Sequence, residues 1–188
     1  MMRVLIAEDD TIIRLDLRGL LESSRFDVCG EARDGVEAVE LAAALEPDAI
    51  LMDIKMPRLD GIEAARRILE RRPVPIVMLT AFGQQELVAR AVETGVFGYL
   101  AKPFREQDVV PALVAARARH AEFAAVRLQA QSLAEALEAR KAIERAKGIL
   151  MAKDGISEEA AFARLRRASQ RSGRPMKVIA DAVAATLG

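Results

Sequence analysis

Residues Ala49–Asp53 read AILMD, and residues 76–80 read IVMLT. Each run is apolar up to its last residue, with no alternation of apolar and polar side chains. Uninterrupted apolar runs of this length are typical of parallel strands that helices cover on both faces. The sequence therefore predicts a parallel sheet buried between two layers of helices.

Similar apolar runs alternate with amphipathic helical patterns through the first 118 residues. This alternation is typical of βα units and predicts an α/β fold with a doubly wound, five-stranded parallel sheet. The predicted strands span residues 3–7, 26–30, 49–52, 76–79 and 98–101. The predicted helices lie near residues 11–24, 35–45, 61–71, 84–94 and 105–119.

Two of the predicted helices start with a capping pattern. Asp34 is followed three residues later by Glu37, and Asp60 is followed three residues later by Glu63. Carboxylates at these two positions accept hydrogen bonds from the free backbone N–H groups of a first helical turn. Helices are therefore predicted to begin directly after Asp34 and Asp60.

The composition excludes several classes of site. Among the 188 residues, Cys29 is the only cysteine and His120 is the only histidine. An intrachain disulfide and a cysteine-rich zinc site are impossible, and neither a histidine-based metal site nor a Ser-His-Asp triad is expected. The apolar run at the N-terminus ends at Ala7, too early for a signal peptide or a membrane span, which predicts a cytoplasmic protein.

Charge is distributed unevenly along the chain, although the formal net charge is zero. Residues 1–118 carry 15 basic and 20 acidic side chains, whereas residues 119–188 carry 13 basic and 8 acidic ones. The excess of basic over acidic side chains is concentrated in residues 140–177, which contain 11 basic and 4 acidic ones. Two interpretations remain open, a solvated basic helical surface and a surface that binds a polyanion.

The last third of the chain is predicted to be helical. After Pro111 the strand signals end, and helix-favouring residues continue to about Lys153. A heptad seam of only two heptads predicts a coiled-coil-like helix; it consists of Phe123, Val126, Ala130, Leu133 and Leu137. Breaks at Gly155 and Gly173 separate two further helices, which predicts a small all-α three-helix bundle. Its close contacts are predicted at Ala142, Ala146, Gly148, Ala161 and Ala168, around a centre filled by Phe162, Leu165, Ile179 and Val183.

Polar side chains stand where four of the predicted strands end: Glu8, Asp9 and Asp10 after the first, Asp53 at the third, Thr80 at the fourth and Lys102 after the fifth. The carboxyl ends of parallel strands meet at one edge of a sheet, where α/β proteins bind ligands. Converging carboxylates suit Mg²⁺, a hydroxyl and an ammonium suit phosphoryl oxygens, and a carboxylate can serve as the phosphoryl acceptor. Helix capping is the alternative for the acidic residues, and Asp10 is well placed for it before Thr11.

These residues lie in motifs that resemble the response-regulator receiver domain. The motifs are residues 7–10 (AEDD), 52–57 (MDIKMP) with 60–61 (DG), 79–81 (LTA) and 99–104 (YLAKPF). Their order fits as well, with 27 residues from Asp53 to Thr80 and 22 from Thr80 to Lys102. The resemblance implies a receiver domain at residues 1–119 with the flavodoxin-like version of the doubly wound fold.

The resemblance implies that Asp53 accepts a phosphoryl group from the phosphohistidine of a sensor histidine kinase, while Thr80 and Lys102 bind the phosphoryl oxygens. Such a regulator is a phosphoacceptor that promotes its own phosphorylation and slow autodephosphorylation, and it is not counted as an enzyme. The Lys102–Pro103 peptide bond is implied to be cis. Tyr99 matches the family's rotamer switch, which turns inward with Thr80 on activation; the alternative is an aromatic ring that packs at the sheet edge.

The implied cofactor is Mg²⁺, held by Glu8, Asp9, Asp53 and the backbone carbonyl of Lys55. Within the acidic triplet, Asp9 and Asp10 are the other possible ligating pair. Counting back from Arg14 favours Glu8 with Asp9. We expect substitution of Asp10 to leave phosphorylation largely intact.

Three classes of output compete for the tail: a helix-turn-helix DNA reader, an RNA-binding bundle and a dimerisation module. Residues 140–151 (RKAIERAKGILM), 155–157 (GIS), 161–162 (AF) and 165–169 (LRRAS) resemble the ANTAR domain of transcription antiterminators. The match runs from about residue 134 to 187, and the whole chain resembles actinobacterial phosphorylation-dependent antitermination regulators. This implies a helical linker or coiled coil at residues 120–138 and an ANTAR three-helix RNA-binding domain at residues 139–188.

An ANTAR domain implies binding of nascent mRNA at paired stem-loops. Binding stabilises an RNA structure that competes with a terminator hairpin, so that polymerase reads through. The candidate RNA contacts are Arg145, Lys147, Arg166, Arg167 and Lys177, with solubilising surface charge as the alternative for each. Lys147 is the strongest candidate because the adjacent Gly148 lacks a side chain and can admit a backbone or a base closely.

The two halves are expected to be coupled. Phosphorylation of Asp53 would shift the face formed by the predicted helix at 84–94 and the strand at 98–101, and could pair two seams in a homodimer. Alternatively, the seam packs against the receiver within one chain. The other functions considered are a receiver with a DNA-binding helical output and a phosphate-sink or docking receiver that binds no nucleic acid.

Overall fold

The computed structural model describes residues 1–81 and 94–187. The predicted helix near residues 84–94 therefore falls almost entirely outside the described residues. The strands are β1 (Arg3–Ala7), β2 (Asp27–Ala32), β3 (Ala49–Asp53), β4 (Ile76–Ala81) and β5 (Gly98–Lys102). The described helices are α1 (Thr11–Ser23), α2 (Gly35–Leu45), α3 (Gly61–Arg71), α4 (Glu106–Asp154), α5 (Glu158–Ser172) and α6 (Met176–Leu187).

The five strands form one parallel sheet in the order β2-β1-β3-β4-β5. In register, Leu5 of β1 pairs with Ile50 of β3, and Asp53 of β3 pairs with Leu79 of β4. The strand order reverses between β1 and β3, which is the switch point of a doubly wound sheet. The predicted fold class is confirmed, and the carboxyl ends of β1 and β3 lie side by side at the switch point.

Helices cover both faces of the sheet, and all five residues of β3 are buried. One core cluster joins the sheet to α2 and α3, and the other joins it to α1 and the first turns of α4. Alternate residues of β3 belong to opposite clusters: Ile50 and Met52 to the first, Leu51 to the second. This two-sided burial is the physical reason for the unbroken apolar run in β3.

The predicted capping patterns are confirmed. The Asp34 side chain accepts hydrogen bonds from the backbone N–H groups of Val36 and Glu37, both at 2.9 Å. The Asp60 side chain accepts one from the N–H of Glu63 at 2.8 Å. Both carboxylates thereby satisfy first-turn donors that have no partner inside the helix.

Strand ends differ from the prediction by one or two residues. Strand β2 begins at Asp27 and continues to Ala32 because its ladder with β1 extends to the pair of Ala7 with Ala32. Strand β4 continues to Ala81, which pairs with Lys102 of β5. Pairing with a neighbouring strand, which local composition does not report, decides where each strand ends.

Helix α4 runs unbroken for 49 residues, so the helix predicted near residues 105–119 and the helix-favouring stretch predicted to continue to about Lys153 form one helix. Pro111 lies in its second turn and removes one backbone hydrogen bond, but the flanking Val109 and Leu113 are fully buried and hold this turn in place. Contacts divide the chain into two units, Met1–Ala124 and Ala125–Gly188. Neither α4 nor any other helix in the described ranges is apolar over a length sufficient to cross a membrane.

The second unit is a bundle formed by the end of α4 with α5 and α6. Its buried centre consists of Ala146, Leu150, Ala161, Leu165 and Ala180. Three of these five are alanines, so the helices approach closely through small side chains as predicted. Ile179 and Val183 pack against this centre and are partly buried.

Two predictions about this bundle are wrong. Phe162 is 41% exposed and does not fill the centre. It follows the buried Ala161 by one residue, which rotates it about 100° away from the core side of α5, whereas Leu165 follows by four and shares that side. A Cβ atom placed on Gly148 would meet no atom of the described residues within 4 Å, so this glycine mediates no close helix contact among them.

Candidate functional site

Three carboxylates converge at the carboxyl edge of the sheet. Glu8 and Asp9 directly follow β1, and Asp53 ends the neighbouring β3. One oxygen from each of the three lies within 4.8 Å of the other two. Glu8 and Asp53 are buried, while Asp9 is exposed. Negative charge held partly out of water is costly unless a cation compensates it.

The Lys102 ammonium supplies part of this compensation. Its Nζ atom lies 2.7 Å from Glu8 Oε2 and 3.1 Å from Asp53 Oδ1. Burial opposes its charge, but the hydrogen bond to Glu8 and the charge of Asp53 outweigh burial and raise the pKa of Lys102. The lysine therefore stays protonated and bridges the two buried carboxylates. The Lys102–Pro103 peptide bond is cis, which confirms what the receiver resemblance implied.

Burial dominates the titration of both buried carboxyl groups. It raises the pKa of Glu8 and of Asp53 above their ordinary values, although the interactions with Lys102 act in the opposite direction. The nearby charge of Asp9 raises the pKa of Asp53 further. A raised carboxyl pKa means that the anion is less stable here than in water. Both anions would therefore gain from a second cation beside Lys102.

Thr80 and Tyr99 lie in different environments. Thr80 stands one residue before the end of β4, is buried, and its hydroxyl donates to the backbone oxygen of Ala81 at 3.2 Å. It pairs with Ala101, the residue before Lys102, so its strand position is beside the lysine. Tyr99 is 56% exposed, so packing at the sheet edge does not account for this ring in the conformation described.

The loop between β3 and α3 brings Lys55 to the acidic edge. Lys55 and Asp9 line the same open groove. The loop is held by the backbone N–H of Ile54, which donates to the Leu79 oxygen at 3.2 Å, and by the N–H of Gly61, which donates to the Ile54 oxygen at 2.8 Å. These bonds fix the backbone on both sides of the residues that follow Asp53.

Gly61 permits an unusually close approach of α3 to the end of β3. A Cβ atom placed on Gly61 would lie 1.9 Å from the backbone oxygen of Asp53 and 2.9 Å from its carbonyl carbon. Both are backbone atoms and have no rotamer through which to move aside. The acceptor position and the first residue of α3 therefore depend on the absence of a side chain at Gly61.

The structure separates Asp10 from the acidic cluster. Its side chain accepts hydrogen bonds from the backbone N–H groups of Ile12 and Ile13 at 2.8 and 3.1 Å and caps α1. The three-carboxylate cluster among the described residues contains Glu8 and Asp9. Of the two pairs that the sequence left open, this geometry favours Glu8 with Asp9.

Lys147, the strongest of the predicted RNA contacts, is engaged inside the bundle. It is buried, and its Nζ lies 2.8 Å from Glu144 Oε2 and 2.6 Å from Glu158 Oε1. Hydrogen bonds to Glu144 and then Glu158 raise the pKa of Lys147, which keeps it charged. Adjacency to Gly148 in sequence gave no sign of this pairing.

The other four predicted contacts are exposed. Lys177 lies 3.5 Å from an oxygen of Asp181 and is partly neutralised by it. Arg145, Arg166 and Arg167 have no carboxylate oxygen within 4.0 Å among residues 1–81 and 94–187. Of the five predicted contacts, these three guanidinium groups are the ones that the described residues leave available to an anion.

Comparison with known proteins assigns a family to the part of the chain that holds each of these two sites. Residues 4–114 match the family described as response regulator receiver domain, and residues 131–183 match the ANTAR domain. The first match alone spans more than half of the chain. The chain is a two-component response regulator. Its output domain is of the ANTAR class, which binds RNA.

The response regulator is 48% identical over 186 residues to the transcriptional regulatory protein PdtaR of Mycobacterium tuberculosis (strain ATCC 25618 / H37Rv), covering 99% of this chain and 91% of that protein. It is 39% identical over 112 residues to the chemotaxis protein CheY of Thermotoga maritima, covering 59% and 93%. Among solved structures, it resembles the receiver domain of the sensor histidine kinase PA1611 of Pseudomonas aeruginosa PAO1, which has a magnesium ion coordinated in its active site cleft. That likeness has a TM-score of 0.58 at 33% identity and covers 62% and 98% of the two chains.

The acidic cluster of this response regulator fits a Mg²⁺ ion. Its donors are carboxylate oxygens, the hard ligands that Mg²⁺ prefers, and those of Glu8, Asp9 and Asp53 lie close enough to share one ion. Exposed Asp9 lies at an open groove, which suits an ion that keeps several of its waters. The raised pKa values of Glu8 and Asp53 mark the same need for positive charge.

Sequence reasoning missed Arg14 as a positioning residue of the response regulator. Arg14 is buried on the same face of α1 as Leu17. Its guanidinium donates to the backbone oxygens of Glu8 at 2.7 Å and Asp9 at 3.4 Å, and it pairs with Glu31 at 3.3 Å. It thus holds the backbone that presents the acidic pair. The available signal was an arginine spaced three residues from a leucine on the apolar stripe of α1.

Proposed function

We propose that this response regulator accepts a phosphoryl group on Asp53 from a sensor histidine kinase, and that phosphorylation controls stem-loop RNA binding by its ANTAR domain. The observation that carries the first part is the Lys102 ammonium placed between Glu8 and Asp53 at the carboxyl edge. A fixed positive charge beside a buried carboxylate favours reaction with an anionic phosphoryl donor. Binding would stabilise an RNA structure that competes with a terminator hairpin, and this would cause antitermination in the cytoplasm.

In the proposed transfer, a carboxylate oxygen of Asp53 attacks the phosphorus atom of the kinase phosphohistidine. The O–P bond forms, the P–N bond breaks, and the imidazole leaves with the electron pair of that bond. Lys102 would shift its contact from the Asp53 carboxylate to a phosphoryl oxygen, and the Thr80 hydroxyl would donate to another. Slow autodephosphorylation would follow when water attacks the phosphorus atom and releases the Asp53 carboxylate.

Glu8, Asp9, Asp53 and the backbone carbonyl of Lys55 are the proposed holders of Mg²⁺. The ion would neutralise charge on the transferring phosphoryl oxygens when bound. Tyr99 is proposed to turn inward with Thr80 on phosphorylation. Its ring is exposed in this structure, which is the starting position that such a movement requires. The cis Lys102–Pro103 bond follows directly after the lysine that would bind the phosphate.

The proposed domain division is a receiver at residues 1–119, a helical linker at 120–138 and an ANTAR domain at 139–188. Within the ANTAR domain, Arg145, Arg166 and Arg167 are proposed RNA contacts because their guanidinium groups are exposed and have no carboxylate partner among the described residues. Lys147 and Lys177 would first have to leave their carboxylate partners, which makes them weaker candidates.

Crosslinking followed by sequencing of the bound RNA, with and without a phosphodonor, tests this function. We expect the phosphorylated full-length regulator to enrich paired stem-loops and to release them as salt rises. If the regulator preferred duplex DNA to stem-loop RNA, the proposed RNA-binding output would be wrong and a DNA-binding output would take its place. Absence of bound nucleic acid in both states would leave a phosphate sink or docking receiver.

We propose further that phosphorylation favours a homodimer through the heptad seam. The structure leaves Phe123, Val126, Leu133 and Leu137 between 53% and 65% exposed. An apolar stripe of this kind is what a partner helix covers in a coiled coil. Two joined ANTAR domains would then meet two RNA loops at a raised effective concentration.

We expect beryllofluoride, a phosphoryl mimic, to raise the sedimentation mass towards that of a dimer. Leu133→Gln should weaken this association by about 100-fold, because one buried leucine is lost from each copy. Leu128→Gln is the matched control, since Leu128 is 70% exposed and lies off the seam. An unchanged mass on addition of beryllofluoride, or equal weakening by both variants, would exclude the seam as the phosphorylation-dependent interface.

A further inference from the structure

Ion pairs are unevenly distributed over the C-terminal unit. Residues 160–180 contain six basic side chains and no acidic one. Four cations of the unit are paired with carboxylates: Lys141, Lys147, Arg164 and Lys177. Eight have no carboxylate within 4.0 Å among the described part of the chain: Arg127, Arg140, Arg145, Lys153, Arg166, Arg167, Arg171 and Arg174. Half of these eight fall between residues 166 and 174, so unneutralised charge is concentrated on α5 and its end.

Three arginines of α5 share one face. Arg164, Arg167 and Arg171 are spaced three and four residues apart, which places them in one row along a helix. The core side of α5 is marked by the buried Ala161 and Leu165. Arg167 follows Leu165 by two residues, or about 200° around the helix, and therefore faces away from the core. We name Arg164, Arg167 and Arg171 the α5 arginine face.

The members of the α5 arginine face are held differently. Arg164 forms an ion pair with Asp154, at the end of α4. Arg167 and Arg171 are exposed and lie one turn apart, where like charges repel and destabilise a helix. Arg171 is in the last turn, where a cation also stabilises the negative end of the helix dipole. Arg167 lies before the last turn of α5, where the dipole does not stabilise a cation, and it forms no ion pair with the described residues.

We propose that the α5 arginine face binds the phosphate backbone of the RNA, with Arg167 and Arg171 in direct contact. Guanidinium groups bind phosphate through two parallel hydrogen bonds, and these two are about 6 Å apart along the helix axis. Structured RNA is recognised largely through its phosphates and 2′-hydroxyls, because its major groove is too narrow for side chains. The assignment rests on the proposed RNA-binding function and names the surface that carries it.

The other basic surface of the unit is less suited to a polyanion. Arg145 lines a groove between α4 and α6 together with Lys141, Lys177, Glu138 and Asp181. Two of these five charged groups are carboxylates, which repel phosphates and already pair with the two lysines. The α5 arginine face has one carboxylate contact, that of Arg164, and none at Arg167 or Arg171 in the described residues.

The test compares Arg167→Gln with Arg140→Gln in the full-length regulator activated by beryllofluoride. Each variant removes one exposed arginine that has no ion pair with the described residues from a helix of the same unit, so net charge changes equally. The probe is the tightest stem-loop RNA that the wild-type regulator selects from a hairpin library with randomised loops. Affinity is measured by fluorescence anisotropy from about 0.05 to 0.3 M KCl.

We expect Arg167→Gln to lower affinity about fivefold at 0.15 M salt and to reduce the log–log salt slope by about 0.8, the loss of one phosphate contact. Arg167→Gln with Arg171→Gln should lower affinity about 20-fold. Arg167→Lys should restore most of the slope, and Arg140→Gln should stay near wild type. Equal effects of Arg167→Gln and Arg140→Gln, or no effect of either, would overturn the assignment alone. A wild-type regulator that selects no RNA would overturn the proposed function with it.

Discussion

Asp53→Asn is expected to abolish labelling of the regulator by radioactive acetyl phosphate in the presence of Mg²⁺. The asparagine amide has nearly the shape of the carboxylate but no nucleophilic oxygen anion, so the acyl phosphate cannot form. The variant should fold, because its amide relieves the mutual repulsion of Glu8, Asp9 and Asp53 in a buried site. Incorporation of label, measured on denatured protein, should fall to background.

Asp10→Asn provides the matched control for this loss. Asn and Asp cap helices about equally well, so the hydrogen bonds to Ile12 and Ile13 persist and α1 should keep its start. The substitution makes the same chemical change two residues after Glu8, and labelling should remain close to wild type. Equal labelling of wild type and Asp53→Asn would remove Asp53 as the acceptor, and loss of labelling in Asp10→Asn would return Asp10 to the metal-binding pair.

Gly61→Ala is expected to destabilise the receiver strongly. The new methyl group would lie 1.9 Å from the Asp53 backbone oxygen, so either the start of α3 or the end of β3 must move. Overpacking against backbone costs about 3 kcal/mol, which corresponds to a fall of roughly 10 °C in Tm for a unit of this size. Because the displaced atoms belong to the acceptor residue, labelling by acetyl phosphate should fall as well.

Gly148→Ala tests the opposite case with the same chemical change. A Cβ atom at Gly148 meets no atom within 4 Å in the described part of the chain, and alanine favours a helix interior by about 1 kcal/mol over glycine. Melting followed by circular dichroism should therefore show unchanged or raised stability for Gly148→Ala. A Gly61→Ala protein that melts within about 2 °C of wild type would show that the close approach at Asp53 is not restrictive.

Sequence-based prediction succeeds for features that depend on residues close together in the chain or on the order of the strands. The run Ala49–Asp53 reports burial on both faces, because a strand exposed on one face cannot be apolar at every position. Asp34 and Asp60 report helix starts, because capping involves only residues two or three positions away. The convergence of Asp53 and Lys102 follows from topology, since parallel strands must end at the same edge.

Prediction fails where the answer depends on which residues meet in space. The pairing of Lys147 with Glu158 joins two helices across a turn, and sequence adjacency to Gly148 pointed elsewhere. Phe162 was predicted to fill the centre of the bundle, although its position on α5 leaves it 41% exposed. Arg14 carries a charge that sequence patterns assign to solvent, and only the backbone oxygens of the acidic turn explain its burial.

Two ion pairs span the turn between α4 and α5, one from Lys147 to Glu158 and one from Arg164 to Asp154. Both pairs join residues that precede Gly155 to residues that follow it, and the positive φ of 63° at Gly155 makes the turn between the two helices possible. Together they help to hold the orientation of α5 relative to the end of α4 before RNA binds. A preorganised surface loses little conformational entropy on association, so charge attraction converts more fully into affinity. A high salt concentration would weaken both these ion pairs and the attraction between α5 and the RNA phosphates.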